Sequence, residues 1–300
     1  MPARQPQREW LRAAVASALG QRDCRVELLV VDDGSPEPVA DLLEGLQDPR
    51  LRVIRVQPGG VSHARNAGVA AAGGDYIRFI DSDDVLEPGS TARLVALAAA
   101  GQTATIAYGA TLNCDEQLRP LELMRTDLEG WIAEDCLLYR FDVRCMSLLF
   151  PRPVVDAVGE WDTSLRHCQD WDYVLRATEH APVRGDQEVA TFYRRHGAAQ
   201  TNNVAATLHF ETIVVDRYFE RHPELAGTRL ERRARAQLLR VRAGAGALAG
   251  YGPWARVRML ARAFTLDGAG TAAAVAREGI RAGRHAVMSA LRAAARRVRR

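Results

Sequence analysis

VELLVVDDGSPEP, residues 26–38, decides the reading of this chain. Six residues, Val26 to Val31, form a nearly unbroken apolar run, which then meets two aspartates and a Gly-Ser-Pro turn. A short apolar run without alternation suits a strand buried on both faces, as in a parallel sheet. Working outward, residues 9–20 (EWLRAAVASALG) repeat apolar positions at helical spacing, with Trp10, Ala14 and Ala18 on one face, and close at Gly20. Downstream, helical character is predicted at 37–47, a strand at 51–56, a helix at 61–72 after Gly59-Gly60, and a strand at 75–80. That last strand runs into Asp81-Ser82-Asp83-Asp84, and a helix follows from Glu87 to about residue 100. Strands and helices alternating at this length predict an α/β fold with a mostly parallel sheet and flanking helices.

The pattern weakens from 104 to 160, where strands are expected at 104–108 and 145–150. A helix is expected at 169–180 and a strand at 189–194. From about 205 onward everything reads as helix rich in Ala and Arg. The organisation expected is therefore a domain over 1–204 and a helical C-terminal region over 205–300. Charge divides at the same place. Residues 1–204 hold 21 arginines and 30 acids, whereas 205–300 hold 19 arginines and 7 acids. All basic side chains are Arg, which with the Ala content reads as compositional bias of the genome. The last stretch, 286–300 (AVMSALRAAARRVRR), can form a helix with Val287, Leu291 and Val298 opposite Arg292, Arg296 and Arg299, a pattern suited to an anionic membrane surface. Five widely spaced cysteines without a CxxC pair argue against a disulfide framework or structural zinc site. The polar N-terminus and the lack of a long apolar run argue against a signal peptide or membrane span, so a cytoplasmic protein, peripheral at the inner membrane face, is expected.

In open α/β sheets ligands bind beyond the carboxyl ends of the strands. Two acidic clusters, Asp32-Asp33 and Asp81-Ser82-Asp83-Asp84, are expected there. Carboxylates so crowded repel one another unless a cation lies among them, and Mg²⁺ or Mn²⁺ suits oxygen ligands that must also admit phosphate. Either cluster alone could simply cap turns and helices. No GxGxxG follows any strand, which disfavours a dinucleotide-dependent dehydrogenase.

These segments together resemble family 2 glycosyltransferases of the GT-A fold. The resemblance is carried by VELLVVDDGSPEP (26–38), GGVSHARNAG (59–68), DYIRFIDSDDVLEPG (75–89), LLFPRPVVDAVGEWDTSLRHCQDWDYVLRA (148–177) and YRRHG (193–197), and spans roughly residues 8–200. It implies an enzyme that moves a sugar from a nucleotide-diphosphate donor (UDP, or GDP or dTDP) to a hydroxyl of a saccharide, lipid or protein, as in bacterial cell-envelope polysaccharide synthesis. It implies that Asp33, with Asp32 beside it, contacts the base, and that Arg65 and Asn66 line the nucleotide pocket. Asp81, Ser82 and Asp83 become a DxD motif, with Asp83 the direct metal ligand, Asp81 nearer the ribose and Asp84 a second ligand or a cap. His196 approaches the metal or diphosphate. Asp170, where the family usually reads Glu-Asp and this chain reads Gln169-Asp170, becomes the general base of an inverting single displacement. Trp161 and Trp171 are candidates for an acceptor wall, and His63 and His167 are read as surface or packing residues.

Family members usually open with a strand like V-S-V-V-I-P-T-Y-N, whereas here MPARQPQR precedes the first helix. Two prolines and no apolar run lead to the expectation of a sheet without its first strand, or of a start codon lying upstream. A relative that binds nucleotide or glycan without turnover is the alternative this suggests. A nucleic-acid binder acting through the C-terminal arginines leaves both aspartate clusters unexplained, so no nucleic-acid partner is expected.

Overall fold

The structure is a computed structural model and describes residues 1–141, 143–197, 203–245 and 249–276. The chain divides into two units, Met1–Asn202 and Asn203–Arg300.

The first unit opens with β1 (Pro2–Ala3), α1 (Arg8–Leu19), β2 (Leu28–Asp32), α2 (Val39–Leu42), β3 (Leu51–Arg55) and α3 (Val61–Ala71). These strands form a parallel sheet in the order β1-β2-β3. All five residues of β2 are buried, as its apolar run requires. The expectation of a missing first strand is corrected here. Val31 N donates to Met1 O at 2.8 Å and Asp33 N to Ala3 O at 2.9 Å. The ladder uses the carbonyls on either side of Pro2 and asks no donor of it, which is how a proline enters an edge strand. Helix α1 buries Leu11, Ala14, Val15, Ala18 and Leu19, an i, i+3, i+4 stripe that packs with Leu28, Val30, Val39 and Leu42 in one core. The helix expected over 37–47 shortens to α2, with turns and coil after it.

The parallel expectation holds only for this N-terminal sheet. Beyond it lie β4 (Tyr76–Ile77), β5 (Val85–Leu86), α4 (Ser90–Ala99), β6 (Ile106–Cys114), β7 (Pro120–Met124), α5 (Ala133–Leu137), β8 (Leu148–Pro151), α6 (Arg152–Val158), α7 (Gln169–His180) and β9 (Val183–Arg194). Their sheet is mixed, in the order β4-β8-β6-β9-β5 with β7 on β6. Only β6–β9 is parallel; the other pairs are antiparallel. The strand expected over 75–80 pairs only at Tyr76 and Ile77. The next residue, Arg78, turns its buried guanidinium to Met146 O, Ser90 Oγ, Thr91 Oγ1, Ala190 O and Thr191 Oγ1, tying α4 to β9. Gly185 faces Tyr108 across the β6–β9 register, where a Cβ would lie 2.1 Å from the phenol ring.

The second unit contains α8 (Val204–Arg221), α9 (Arg229–Ala245) and α10 (Pro253–Leu266). Asn203 caps α8 by accepting from Ala206 N at 3.1 Å. Its interior is Leu208, Val214, Val215, Tyr218, Phe219, Leu230, Ala234 and Leu238, and Arg235 bridges Asp216 on α8 to Glu231 on its own helix. No helix among the described residues is long and apolar enough to cross a membrane. The segment 286–300, expected to meet a membrane, lies outside the described residues.

Candidate active site

The β2 end is built by a turn that only glycine permits. Gly34 sits at φ +68°, and a Cβ there would approach Pro58 Cγ to 2.5 Å. The two aspartates beside it do different work. Asp32 accepts from Ser35 N at 2.8 Å and Val39 N at 3.2 Å, and pairs with Arg55 at 3.2 Å. It thereby closes the turn and caps α2. Asp33 accepts from Gly59 N at 2.7 Å and Gly60 N at 2.9 Å, clamping the turn that starts α3 to the end of β2. Arg4 and His63 approach its carboxylate at 3.6 and 3.9 Å. His63 therefore stands beside a site aspartate, a neighbour that its position in the sequence did not reveal.

Arg65 and Asn66 follow on α3, with Gly60 at φ +91° starting the helix. Asn66 spends its amide on the backbone of Trp161: Nδ2 donates to Trp161 O at 3.0 Å, and Oδ1 accepts from Trp161 N at 2.8 Å. Trp161 is core rather than wall. It stacks on Tyr173 at 4.1 Å and meets Phe79 edge-on at 4.8 Å. The outer face of its ring carries the Arg65 guanidinium at 4.3 Å. From that platform Arg65 reaches two carboxylates far apart in sequence, Asp81 at 2.9 Å and Asp170 at 2.5 Å. Its side chain is 3% exposed, whereas those of Asp81 and Asp170 are 29% and 41% exposed. Burial opposes the charge on Arg65, but Asp170 and Asp81 together raise its pKa above that of an ordinary arginine.

Asp81 opens the turn that leads to Ser82, Asp83 and Asp84, with Ser82 half-buried. Asp83 Oδ2 lies 2.9 Å from His196 Nε2. Burial and the neighbouring Asp81 push the Asp83 carboxyl upward, partly offset by His196. The His196 ring lies 4.9 Å from that of Trp10, which leaves the α1 core face to meet it. Asp84 is fully buried; Oδ1 accepts from Arg194 N at 2.8 Å, and Oδ2 has no hydrogen-bond partner among the described residues. Burial, then Asp83 and Asp81, hold this carboxyl well above the usual range. Arg194 also donates to Asp83 O at 2.8 Å and lies over Trp10, so one arginine at the end of β9 sets the backbone of the acidic turn.

Asp170 stands in the first turn of α7, after Cys168 at φ +62°. Its neighbour Asp172 is buried and pairs with Arg176 at 2.9 Å. Trp171 turns away to donate to Cys136 O at 3.0 Å and to meet Tyr139 at 4.3 Å. Cys145, buried nearby, has its thiol pushed well up by burial and then by Asp170. Its proximity to the site carries no sequence signal. Burial also lowers the His167 imidazole. Among the described residues no three His, Cys, Asp or Glu side chains gather as a ready-made metal cage. Asp81, Asp170 and Arg65 form one network and Asp83 with His196 another, the two joined by the Asp81–Asp83 repulsion.

The glycosyl transferase family 2 model matches residues 1–140, which include both acidic turns and Arg65. The match covers 140 of the chain's 300 residues and makes that part of the chain similar to the family. The succinoglycan biosynthesis protein ExoO of Rhizobium meliloti is 42% identical over 86 residues, 27% of this chain and 24% of that protein. The uncharacterized glycosyltransferase EpsJ of Bacillus subtilis is 34% identical over 102 residues, 33% of this chain and 30% of that protein. The matches thus span about a quarter to a third of these curated relatives. The crystal structure of S. aureus TarS 1-349 in complex with UDP-GlcNAc superposes with a TM-score of 0.57 at 13% identity, covering 89% of each chain. That likeness establishes the GT-A fold and no more.

Proposed function

We propose that this chain is a family 2 glycosyltransferase that transfers a sugar from a nucleotide-diphosphate donor to a hydroxyl of a saccharide, lipid or protein, with inversion at the anomeric carbon. The observation that carries the reading is the Arg65 bridge. One buried cation joins Asp81, from the acidic turn, to Asp170, at the start of α7. The carboxylate we assign to the donor side and the candidate base thus share one cation. Arg65 engages Oδ1 of Asp170, whose side chain is 41% exposed, and leaves Oδ2 for the acceptor. That oxygen takes the proton from the acceptor hydroxyl as the acceptor oxygen attacks the anomeric carbon. The bond from that carbon to the diphosphate oxygen breaks, and its electron pair leaves with the nucleotide diphosphate. With no enzyme nucleophile in the path, a single displacement gives inversion.

Asp83 and His196 fit a divalent cation. They pair an oxygen and an imidazole donor 2.9 Å apart, and the carboxylate is crowded by Asp81 and by burial, which a cation would relieve. Asp83 and His196 would hold such an ion with few protein ligands, as suits Mg²⁺ or Mn²⁺ sites that must also admit phosphate. When bound, the ion supplies positive charge against the leaving diphosphate. Asp81 is engaged by Arg65, so we assign the protein ligands to Asp83 and His196. Asn66 acts through Trp161, beneath Arg65. Asp33 fixes the Gly59-Gly60 turn that borders the donor pocket.

The donor nucleotide is proposed to be UDP, because the S. aureus TarS neighbour was crystallised with UDP-GlcNAc and with UDP. An exopolysaccharide acceptor is proposed from the succinoglycan biosynthesis relative. Metal-supplemented thermal-shift screening against nucleotide sugars tests the donor, because binding raises apparent stability by mass action. Asp170→Asn then tests the chemistry: transfer is expected to vanish while donor binding persists. Full transfer by that variant would remove Asp170 as the base, and donor binding without transfer by the parent across an acceptor panel would favour the binding-only alternative.

A further inference from the structure

Helix α10 (Pro253–Leu266) has two unlike faces. Ala263 is fully buried, and Arg256 turns to donate to Ala243 O on α9, so one face belongs to the interior of its unit. The outward face carries Trp254, Val257, Arg258, Ala261, Arg262 and Phe264, all exposed. At 100° per residue, Trp254, Val257, Ala261 and Phe264 form one stripe, with Arg258 and Arg262 along one edge of it. The exposures are large for such side chains: 80% for Trp254, 56% for Phe264 and 53% for Val257. Val275, just beyond, is 49% exposed. The helix has no acidic residue at all.

Exposed aromatic residues grouped this closely mark a docking surface rather than ordinary scatter. The composition distinguishes the occupant. A tryptophan and a phenylalanine beside arginines, on a helix without acids, form the pattern of a helix lying in a bilayer interface. The surrounding region is itself cationic, with 19 arginines against 7 acids over residues 205–300. We infer that the exposed face of α10 docks on an anionic lipid surface, with Trp254, Val257 and Phe264 entering the headgroup boundary and Arg258 and Arg262 meeting lipid phosphates. A polyanion such as RNA would draw on the arginines and leave the apolar stripe in water. The surface lies outside the catalytic network, so its test does not depend on sugar transfer.

The test is sedimentation of the full chain with vesicles of phosphatidylcholine alone and of phosphatidylcholine with phosphatidylglycerol. Three variants accompany it: Trp254→Ser/Phe264→Ser, Arg258→Glu/Arg262→Glu, and a deletion of 277–300. The parent is expected to partition onto anionic vesicles and little onto neutral ones. Reversing the two arginines, a change of four charge units, should weaken partitioning by roughly fivefold per unit. The double serine variant should lose about tenfold or more, since interfacial binding scales with buried apolar area. The deletion variant should retain measurable binding to anionic vesicles. Equal binding by the double serine variant and the parent would overturn the proposal, as would loss of all binding on deleting 277–300 alone. A double serine variant that changes only the sedimentation coefficient of the free protein would instead make this face a contact between copies. Circular dichroism melts of each variant confirm folding, which these exposed positions should leave intact.

Discussion

Replacing Arg65 by methionine keeps most of the side-chain volume over Trp161 and removes the charge that joins Asp81 to Asp170. The structure sets the magnitude. The guanidinium is 3% exposed and makes two charge-assisted contacts. Such bonds contribute about 1.5–3 kcal/mol each when fully buried. Here both partners are partly in water, so the freed carboxylates regain solvation and each contact is discounted. Removing the arginine also removes the cost of burying its charge. Loss of its contact with the indole adds roughly 0.5–1 kcal/mol. A net destabilisation of about 2 kcal/mol follows, which for a unit near 200 residues lowers the melting midpoint by roughly 4–8 °C. Melts of the full chain by tryptophan fluorescence report mainly on this unit, because Trp10, Trp131, Trp161 and Trp171 all lie in it. Arg65→Lys should fall between, since an ammonium lacks the fork that spans two carboxylates. In a double-mutant cycle with Asp170→Asn the two changes should be non-additive by about 1 kcal/mol. A midpoint for Arg65→Met within about 1 °C of the parent, or strict additivity with Asp170→Asn, would refute the bridge.

Three other outcomes are expected. Asp83→Ala and His196→Ala should each weaken Mn²⁺-dependent UDP binding by at least about tenfold in calorimetric titration, with little change in metal-free binding; an unaltered metal response in both would discard this pair as the ligand set. Gly34→Ala should destabilise the first unit by more than about 1 kcal/mol, because φ +68° and the 2.5 Å approach to Pro58 both oppose a Cβ, and a neutral melt would show the turn to be adaptable. Gly185→Ala should cost about 1–3 kcal/mol by forcing Tyr108 from its place, where its hydroxyl donates to Leu128 O at 2.6 Å; chemical denaturation measures it, and an unchanged midpoint would mean the ring repacks freely.

The sequence by itself determined the elements whose periodicity is set locally. The VELLVV run had to be buried, and β2 is; of the helical positions read on α1, Ala14 and Ala18 face the core as expected, whereas Trp10 does not. Glycine and aspartate spacing marked both acidic turns, because turn chemistry is written in neighbouring residues. What the sequence left unsettled depends on partners distant along the chain. Two residues at the edge suffice for β1 because Val31 N and Asp33 N donate to the carbonyls on either side of Pro2 and Met1 N donates back to Leu29 O, a fact that no reading of MPARQPQR contains. The mixed sheet beyond β4 follows from which strands meet, and a side-chain period does not encode strand direction. Asp32 and Asp33 look alike in sequence, yet one is tied to Arg55 and α2 and the other to the Gly59-Gly60 turn. Asn66 gained a packing duty from a tryptophan 95 positions away. The Arg65 bridge spans 16 residues to Asp81 and 105 to Asp170. Charge and polarity fix which residues seek partners, whereas only the closed fold decides which partners come within hydrogen-bonding reach.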